Sequence, residues 1–356
     1  MHAGRTSGRQ STLARLGQAG RLIATWSLAA LVSLFGVATG YTLFVGRTHV
    51  VSNETIYEGH YKVGQPDTVE FYTLEGRGWT SYGEHGLVVN KTPNPIATRV
   101  LFLGDSFTQA RHVSDSEKFT EIVEQRWNST HAETIQTLNL GLGGLGVADY
   151  VYFSENIDRI FEPDLVFLLI TADDLGNTAQ YERALKRLGK PPKRNPASPL
   201  LEFLNEAGYY AFLRQTIKQT QGFAADKSFA TLDYIGKTEP APPAGTAETN
   251  IQDVAIQLDQ LHQRWGDRLV IIYHSFAPGT GRHATTANHE PVWQEIQRQG
   301  IPAIDLCPAL DKAFQAHRPP TGFANSILGR GHFNRHGHAI IAAEVVAFLE
   351  ARDDLG

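Results

Sequence analysis

From residue 98 onward, short apolar runs alternate with stretches of helical period. Val100–Leu103, Ile135–Leu140, Leu165–Ile170, Leu269–Tyr273 and Ile301–Leu306 are the runs, and Leu165–Ile170 is purely aliphatic and aromatic. Runs of this kind predict strands covered on both faces. Between them, Phe119, Ile122, Val123 and Trp127 recur at three- and four-residue spacing. So do Tyr150, Phe153, Ile157 and Phe161, then Ile251, Val254, Leu258, Leu261 and Trp265, and finally Ile341, Val345, Phe348 and Leu349. Each set marks one face of an amphipathic helix. Ser114-Asp115-Ser116-Glu117 is a capping box that predicts where the first of these helices begins. Five strands alternating with helices predict an α/β three-layer sandwich on a central five-stranded parallel sheet with right-handed crossovers. In such sheets ligands bind at the carboxyl ends of the strands.

The chain ahead of this pattern has two other textures. Leu22–Val45 holds no charged residue, and as a helix it is roughly 36 Å long, enough to cross a bilayer with some tilt. Arg5, Arg9, Arg15 and Arg21 precede it and only Arg47 follows closely. The asymmetry predicts a cytoplasmic leader over 1–21, a transmembrane anchor over 22–45 and everything later across the membrane, the periplasm in a bacterium. A signal peptide cleaved near Ala38-Thr39-Gly40 is the alternative, and the long apolar stretch favours the anchor. Residues 46–97 carry loosely alternating pieces, Glu70–Leu74, Trp79 and Leu87–Asn90, divided by glycine and proline. They predict a small β-rich lead-in that packs on the main domain of residues 98–356. Inside that domain the period lapses over 178–248. Lys186–Pro199 is basic and proline-rich, Leu200–Ile217 has the residues of a helix, and Thr238–Gly245 reads as a linker. An insertion of this size forms either a cap over a site or an exposed loop.

Composition narrows the chemistry. The chain has 356 residues, 42% hydrophobic and 19% charged, with a formal net charge of −5. That is a globular balance without the basic footprint of a nucleic-acid binder. Cys307 is the only cysteine, which excludes an intramolecular disulfide and a cysteine-built zinc site; within Ile-Asp-Leu-Cys-Pro it reads as a small core residue. No phosphate-cradling lysine loop or dinucleotide fingerprint opens a strand–helix unit, so no nucleotide cofactor is expected.

Four strand ends carry candidate chemistry. The first run ends in Gly104-Asp105-Ser106, a strand-to-helix turn that would expose a serine hydroxyl, without the flanking glycines of a Gly-x-Ser-x-Gly elbow. Asp105 there reads as a turn residue. The second run leads into Asn139-Leu140-Gly141-Leu142-Gly143-Gly144-Leu145-Gly146, where backbone N–H groups can approach a ligand. The third leads into Thr171-Ala172-Asp173-Asp174-Leu175. Near the end of the chain comes Gly331-His332-Phe333-Asn334-Arg335-His336-Gly337-His338.

In this order the blocks resemble the SGNH (GDSL-type) hydrolase family, from about Val100 to the C-terminus with the insertion as a break. The resemblance implies a flavodoxin-like fold and assigns Ser106 as nucleophile and His332 as general base. It places Gly144 in the oxyanion hole, together with Asp173 at the position where the family has asparagine. It also implies an O-acylated envelope or exopolysaccharide glycan, or a lipid ester, as substrate. The outcome is hydrolysis, or acyl transfer if a sugar hydroxyl replaces water, and a non-catalytic carbohydrate-binding protein is the further alternative. No cofactor or metal is implied. Two positions depart from the pattern. The family's aspartate three residues before the histidine is Gly329 here, followed by Arg330. That leaves a backbone carbonyl, a distant carboxylate such as Asp305, or a serine–histidine dyad. An ionised Asp173, unlike asparagine, only accepts hydrogen bonds and would repel an oxyanion unless protonated, turned away or bound to a substrate hydroxyl. Of the other histidines, His336 and His338 lack a converging carboxylate pattern and read as surface or capping residues rather than metal ligands. His274 reads as pocket lining or a structural donor, and His85 as a loop residue.

Overall fold

The computed structural model describes residues 7–44, 50–72, 75–92, 94–175, 178–192, 251–275, 289–326, 328–329 and 331–352. The expected helix of Leu200–Ile217 and the linker of Thr238–Gly245 lie outside these residues.

The N-terminal unit contains helix α1, Ser7–Phe44. Its stretch Gly20–Val37 has a mean hydropathy of 1.5 and buries nothing within the unit. By length and composition this is a helix able to cross a membrane.

The second unit holds the sheet. Strands β5 (Thr98–Gly104), β6 (Ile135–Asn139), β7 (Leu165–Thr171), β8 (Leu269–His274) and β9 (Ala303–Asp305) are all parallel, in the order β6-β5-β7-β8-β9. This is the expected α/β three-layer architecture. Its strands bury alternate residues into two separate cores. Leu101, Leu103, Val166, Leu168 and Ile170 face one layer, built on α4 (Val147–Phe161), α7 (Ile251–Trp265) and α8 (His289–Arg298). Val100, Phe102, Leu165, Phe167 and Leu169 face the other, built on α3 (Phe119–Thr130), α9 (Cys307–Gln315) and α10 (Arg335–Glu350). The strand order reverses beside β5, because the chain passes to β6 on one side and returns to β7 on the other. That reversal opens a crevice at the carboxyl ends of β5 and β7, where ligands bind in open sheets.

Two expectations change in detail. The capping box forms, but it closes a short 3-10 turn at Asp115–Glu117, and α3 starts after it with Lys118 as its N-cap. The last strand shortens to the three residues that pair with β8 at the sheet edge.

The lead-in forms two hairpins, β1 (Val50–Ser52) with β2 (Lys62–Gly64), and β3 (Thr68–Tyr72) with β4 (Gly78–Tyr82). The second is fastened to the segment between β5 and α3. Arg111 pairs with the buried Glu70, which also accepts from Tyr82 Oη at 2.6 Å. Lys118, fully buried, donates to Thr80 Oγ1 at 3.0 Å and to the carbonyls of Ala110 and Val113. Burial lowers its ammonium pKa to about 8, with Asp115 opposing the shift. Ser81 donates from both N and Oγ to Asp115 Oδ2. A buried charge left without its partner is expensive, so these contacts hold the β3–β4 loop in one position.

Candidate active site

Strand β5 ends at Gly104, with φ +149°. A Cβ here would lie 2.1 Å from Thr108 Oγ1, so the tight turn requires glycine. Tyr150 of α4 brackets the same peptide, accepting from Gly104 N at 3.0 Å and donating to Gly104 O. Asp105 then caps α2 (Ser106–Gln109), its Oδ1 accepting from Phe107 N at 2.9 Å. Burial raises the Asp105 pKa, and the N–H groups of Phe107 and Ser106 pull it back. The turn therefore presents Ser106, partly exposed, at the carboxyl end of the strand beside the reversal.

His332 sits just before α10. Its carbonyl accepts from Gly322 N at 2.9 Å, and Asn334 caps the helix by accepting from His336 N and Gly337 N. The ring bridges two partners. Ser106 Oγ is 2.8 Å from Nε2, and Glu75 Oε2 is 2.7 Å from Nδ1. Glu75 Oε1 also accepts from His332 N at 2.9 Å. A carboxylate only accepts, so it assigns the proton to Nδ1 and leaves the Nε2 lone pair facing the serine hydroxyl.

Glu75 answers the question left at Gly329. Neither a carbonyl nor Asp305 orients the ring: Asp305 Oδ1 accepts at 2.9 Å from the N–H of Cys307, the first residue of α9. Gly329 is a turn residue with φ +84°, its N–H bound to Thr321 O. Glu75 comes from the loop between β3 and β4, so the lead-in does more than pack. Asn325 holds that loop by accepting from Gly76 N at 2.8 Å and donating to Gly76 O at 3.0 Å. Gly331 admits the carboxylate: its φ is +81°, and a Cβ there would lie 2.1 Å from Glu75 Oε1.

A second imidazole lies against the first. The His112 and His332 rings stack with centroids 3.7 Å apart and planes 16° apart. His112 Nε2 is 3.8 Å from Glu75 Oε2. His112 is buried, and desolvation, helped by the neighbouring His332, lowers its pKa to about 2. It stays neutral and leaves the Glu75 charge to His332. Glu75, His112 and His332 also bring three potential metal-ligand atoms within 4.8 Å of one another. A metal ion lies near the plane of each imidazole that binds it, and two nearly parallel stacked rings direct their in-plane lone pairs side by side rather than at one point. The geometry suits a hydrogen-bonded chain and does not fit a metal centre.

The glycine loop after β6 lies beside the serine. A Cβ on Gly143 would be 3.5 Å from Ser106 Cβ, and Gly143 N donates to Gln109 Oε1 at 3.2 Å. Gly144, exposed with φ +90°, makes no backbone hydrogen bond among the described residues. Asn139 braces the loop, donating to Thr108 O and accepting from Gly141 N. Asp173 falls in the short helix α5 (Ala172–Leu175) at the end of β7, but its side chain lies outside the described residues.

The remaining candidates take structural places. His274 packs edge-on against Phe107 and Phe333. His85 Nδ1 pairs with Thr55 Oγ1 at 3.2 Å. His336 contributes its backbone N–H to the Asn334 cap. Cys307 is buried and accepts from Ser275 N, and burial raises its thiol pKa to about 11. His338 is buried against Phe119, and desolvation lowers its pKa to about 3.

His112 and His338 set an acid limit on the fold. Both are neutral when folded and take up protons near their ordinary value of 6.5 when unfolded. The stability from burying them neutral is complete above that value and is lost as pH falls toward about 3. Melting curves between pH 7 and pH 4 should show a decline of up to about 1.4 kcal/mol per pH unit for each ring. His338→Leu should remove one ring's share of that slope, and an unchanged slope would exclude this source.

No family model matches the chain, and no curated protein matches it. Among solved structures it is similar to LAE5, an alpha/beta hydrolase enzyme from the metagenome of Lake Arreo, Spain, at 15% identity and a TM-score of 0.42, covering 71% of this chain and 95% of that one. It is similar to the lipase/acylhydrolase from Enterococcus faecalis at 13% identity and 0.41, covering 71% and 96%. It is also similar to Axe2, an acetylxylan esterase from Geobacillus stearothermophilus, at 13% identity and 0.40, covering 73% and 98%.

Proposed function

We propose that the chain is an SGNH-type serine ester hydrolase that removes acyl groups, acetyl foremost, from an extracytoplasmic glycan. The observation that carries this reading is the continuous chain Ser106 Oγ–His332–Glu75, with links of 2.8 and 2.7 Å, at the sheet's point of reversal. Serine, imidazole and carboxylate in this order can form and resolve an acyl-enzyme.

Ser106 Oγ attacks the ester carbonyl carbon as Nε2 of His332 takes the hydroxyl proton. Glu75 stabilises the imidazolium by its charge and by accepting from Nδ1, while its hydrogen bond from the His332 backbone N–H holds the carboxylate in place. The negative charge that develops on the carbonyl oxygen is met by the Gly144 N–H, assisted by the N–H of Ser106, which Asp105 shares in the resting state. Collapse breaks the bond to the alcohol, which leaves with the proton from Nε2. Water then adds to the acyl-serine, gives its proton to Nε2, and releases the acid as Ser106 Oγ recovers the proton. Asp173 contributes to the oxyanion only when protonated, because an ionised carboxylate has no proton to donate. The acyl and glycan classes come from the motif resemblance. Leu22–Val45 would hold the catalytic unit outside the inner membrane, with the arginine-bearing leader inside.

An alkyl fluorophosphonate tests the nucleophile directly. The intact chain should gain one phosphonyl group, and peptide mapping should place it on Ser106. A folded chain that takes no label there would sink the proposal. A labelled chain that hydrolyses no acetyl ester, but passes the acetyl group to a sugar hydroxyl, would convert it to a transferase.

A further inference from the structure

The second unit carries a further feature that ester chemistry does not use. Helix α6 (Thr178–Leu188) bears Arg183, Lys186 and Arg187, and the turn closing it bears Lys190. Arg183, Lys186 and Arg187 are spaced i, i+3 and i+4 and share one helical face, and Lys190 follows in the closing turn. With Lys62 of β2 they line a pocket of about 750 Å³. Two carboxylates partner the group: Glu182 Oε2 is 3.5 Å from Lys186 Nζ, and Asp149 Oδ1 is 3.5 Å from Arg187 Nη2. Lys62, Arg183 and Lys190 make no ion pair among the described residues. Glu54 also stands at the wall, accepting from the lining Ser52 Oγ at 3.0 Å, and five cations against three carboxylates still leave a cationic wall in a chain whose net charge is −5. Like charges at helical spacing repel one another, and a bound anion would relieve that repulsion.

The pocket is tied to the catalytic loop through one side chain. Asp149 Oδ1 accepts from Tyr61 Oη and Arg187 on the pocket wall. Its Oδ2 accepts at 2.8 Å from Gly146 N, two residues beyond Gly144. The wall and the loop beside Ser106 therefore share an anchor.

We propose that this pocket binds the carboxylate groups of an acidic glycan, a chain containing uronate sugars, whose acylated residue reaches Ser106. The proposal rests on the reading of Ser106 as the acyl site and names the substrate class for it. Arginine pairs with carboxylates in two-pronged fashion, and the Tyr61 ring offers an apolar face to a sugar. A concave site of this volume suits one or two sugar residues, whereas an anionic bilayer would need a flat or convex basic face.

The test is calorimetric titration of the full chain in neutral detergent with non-acetylated tetragalacturonate, with neutral xylotetraose and dihexanoylphosphatidylglycerol as comparators. Tetragalacturonate should bind, more weakly as salt rises, and xylotetraose should not. R183Q/K186Q/K190Q should weaken binding by at least about tenfold, while R183K/K186R/K190R, which keeps the charges, should retain most of it. All three positions are exposed, and melting curves on each variant check that it folds. No binding, equal binding by the charge-removing variant, or a preference for the lipid would each overturn the proposal. The ligand carries no ester, so binding requires no turnover. Failure of Ser106 to react would remove the hydrolase reading while leaving tetragalacturonate affinity in place.

Discussion

Ser106→Ala should reduce acetyl-ester hydrolysis by the full chain by about 10⁴- to 10⁶-fold, the usual cost of removing a serine nucleophile. The change deletes one oxygen, the atom 2.8 Å from His332 Nε2. What remains is an imidazole with nothing to deprotonate except water. The melting midpoint should stay close to that of the parent, because Ser106 is partly exposed and Asp105, not Ser106, supplies the helix cap. Initial rates on p-nitrophenyl acetate, with both proteins prepared alike, check the prediction. A variant within about tenfold of the parent would mean that the hydrolysis occurs elsewhere.

Glu75→Gln should lower kcat by about 10³- to 10⁴-fold with little change in KM. The argument turns on the two oxygens. Oε1 accepts from His332 N, and Oε2 accepts from Nδ1. An amide has only one oxygen for these two donors. If that oxygen keeps the backbone N–H, the amide NH₂ faces Nδ1 and moves the ring proton to Nε2. Nε2 then cannot accept from Ser106, and the imidazolium loses its counter-charge as well. Asp305→Asn, at a carboxylate that accepts from Cys307 N and does not reach His332, should leave kcat within about twofold. Steady-state kinetics on the two variants decide the matter. A Glu75→Gln protein within about tenfold of the parent would mean that Ser106 and His332 work as a dyad.

The sheet was legible because its strands are covered on both sides. Leu165–Thr171 is buried throughout, and the helices between the strands keep a strict apolar face. Ser106 and His332 were legible because each lies in a short block whose local turn is written in adjacent residues. Glu75 was not, since the contact joins positions 257 residues apart and no period links them. The signals available were indirect: a carboxylate set against glycine in Glu75-Gly76-Arg77-Gly78, and Gly329 where an aspartate was expected. The function of the lead-in was underestimated for the same reason. A weakly patterned hairpin reveals little of what its loop carries until Glu70, Lys118 and Asp115 are seen fastening it down.

Gly331 and Glu75 occupy almost the same space, since a single methyl group at one would overlap the carboxylate oxygen of the other. A side chain at 331 would have to displace the carboxylate as well as adopt a left-handed backbone. Among descendants of this chain that retain Glu75, position 331 should be confined to glycine; lineages that acquire a side chain there should also have shortened or lost the acid at 75, or moved it to another segment. Drift at an apparently idle turn residue would then foretell the loss of an acid from a loop far away in sequence.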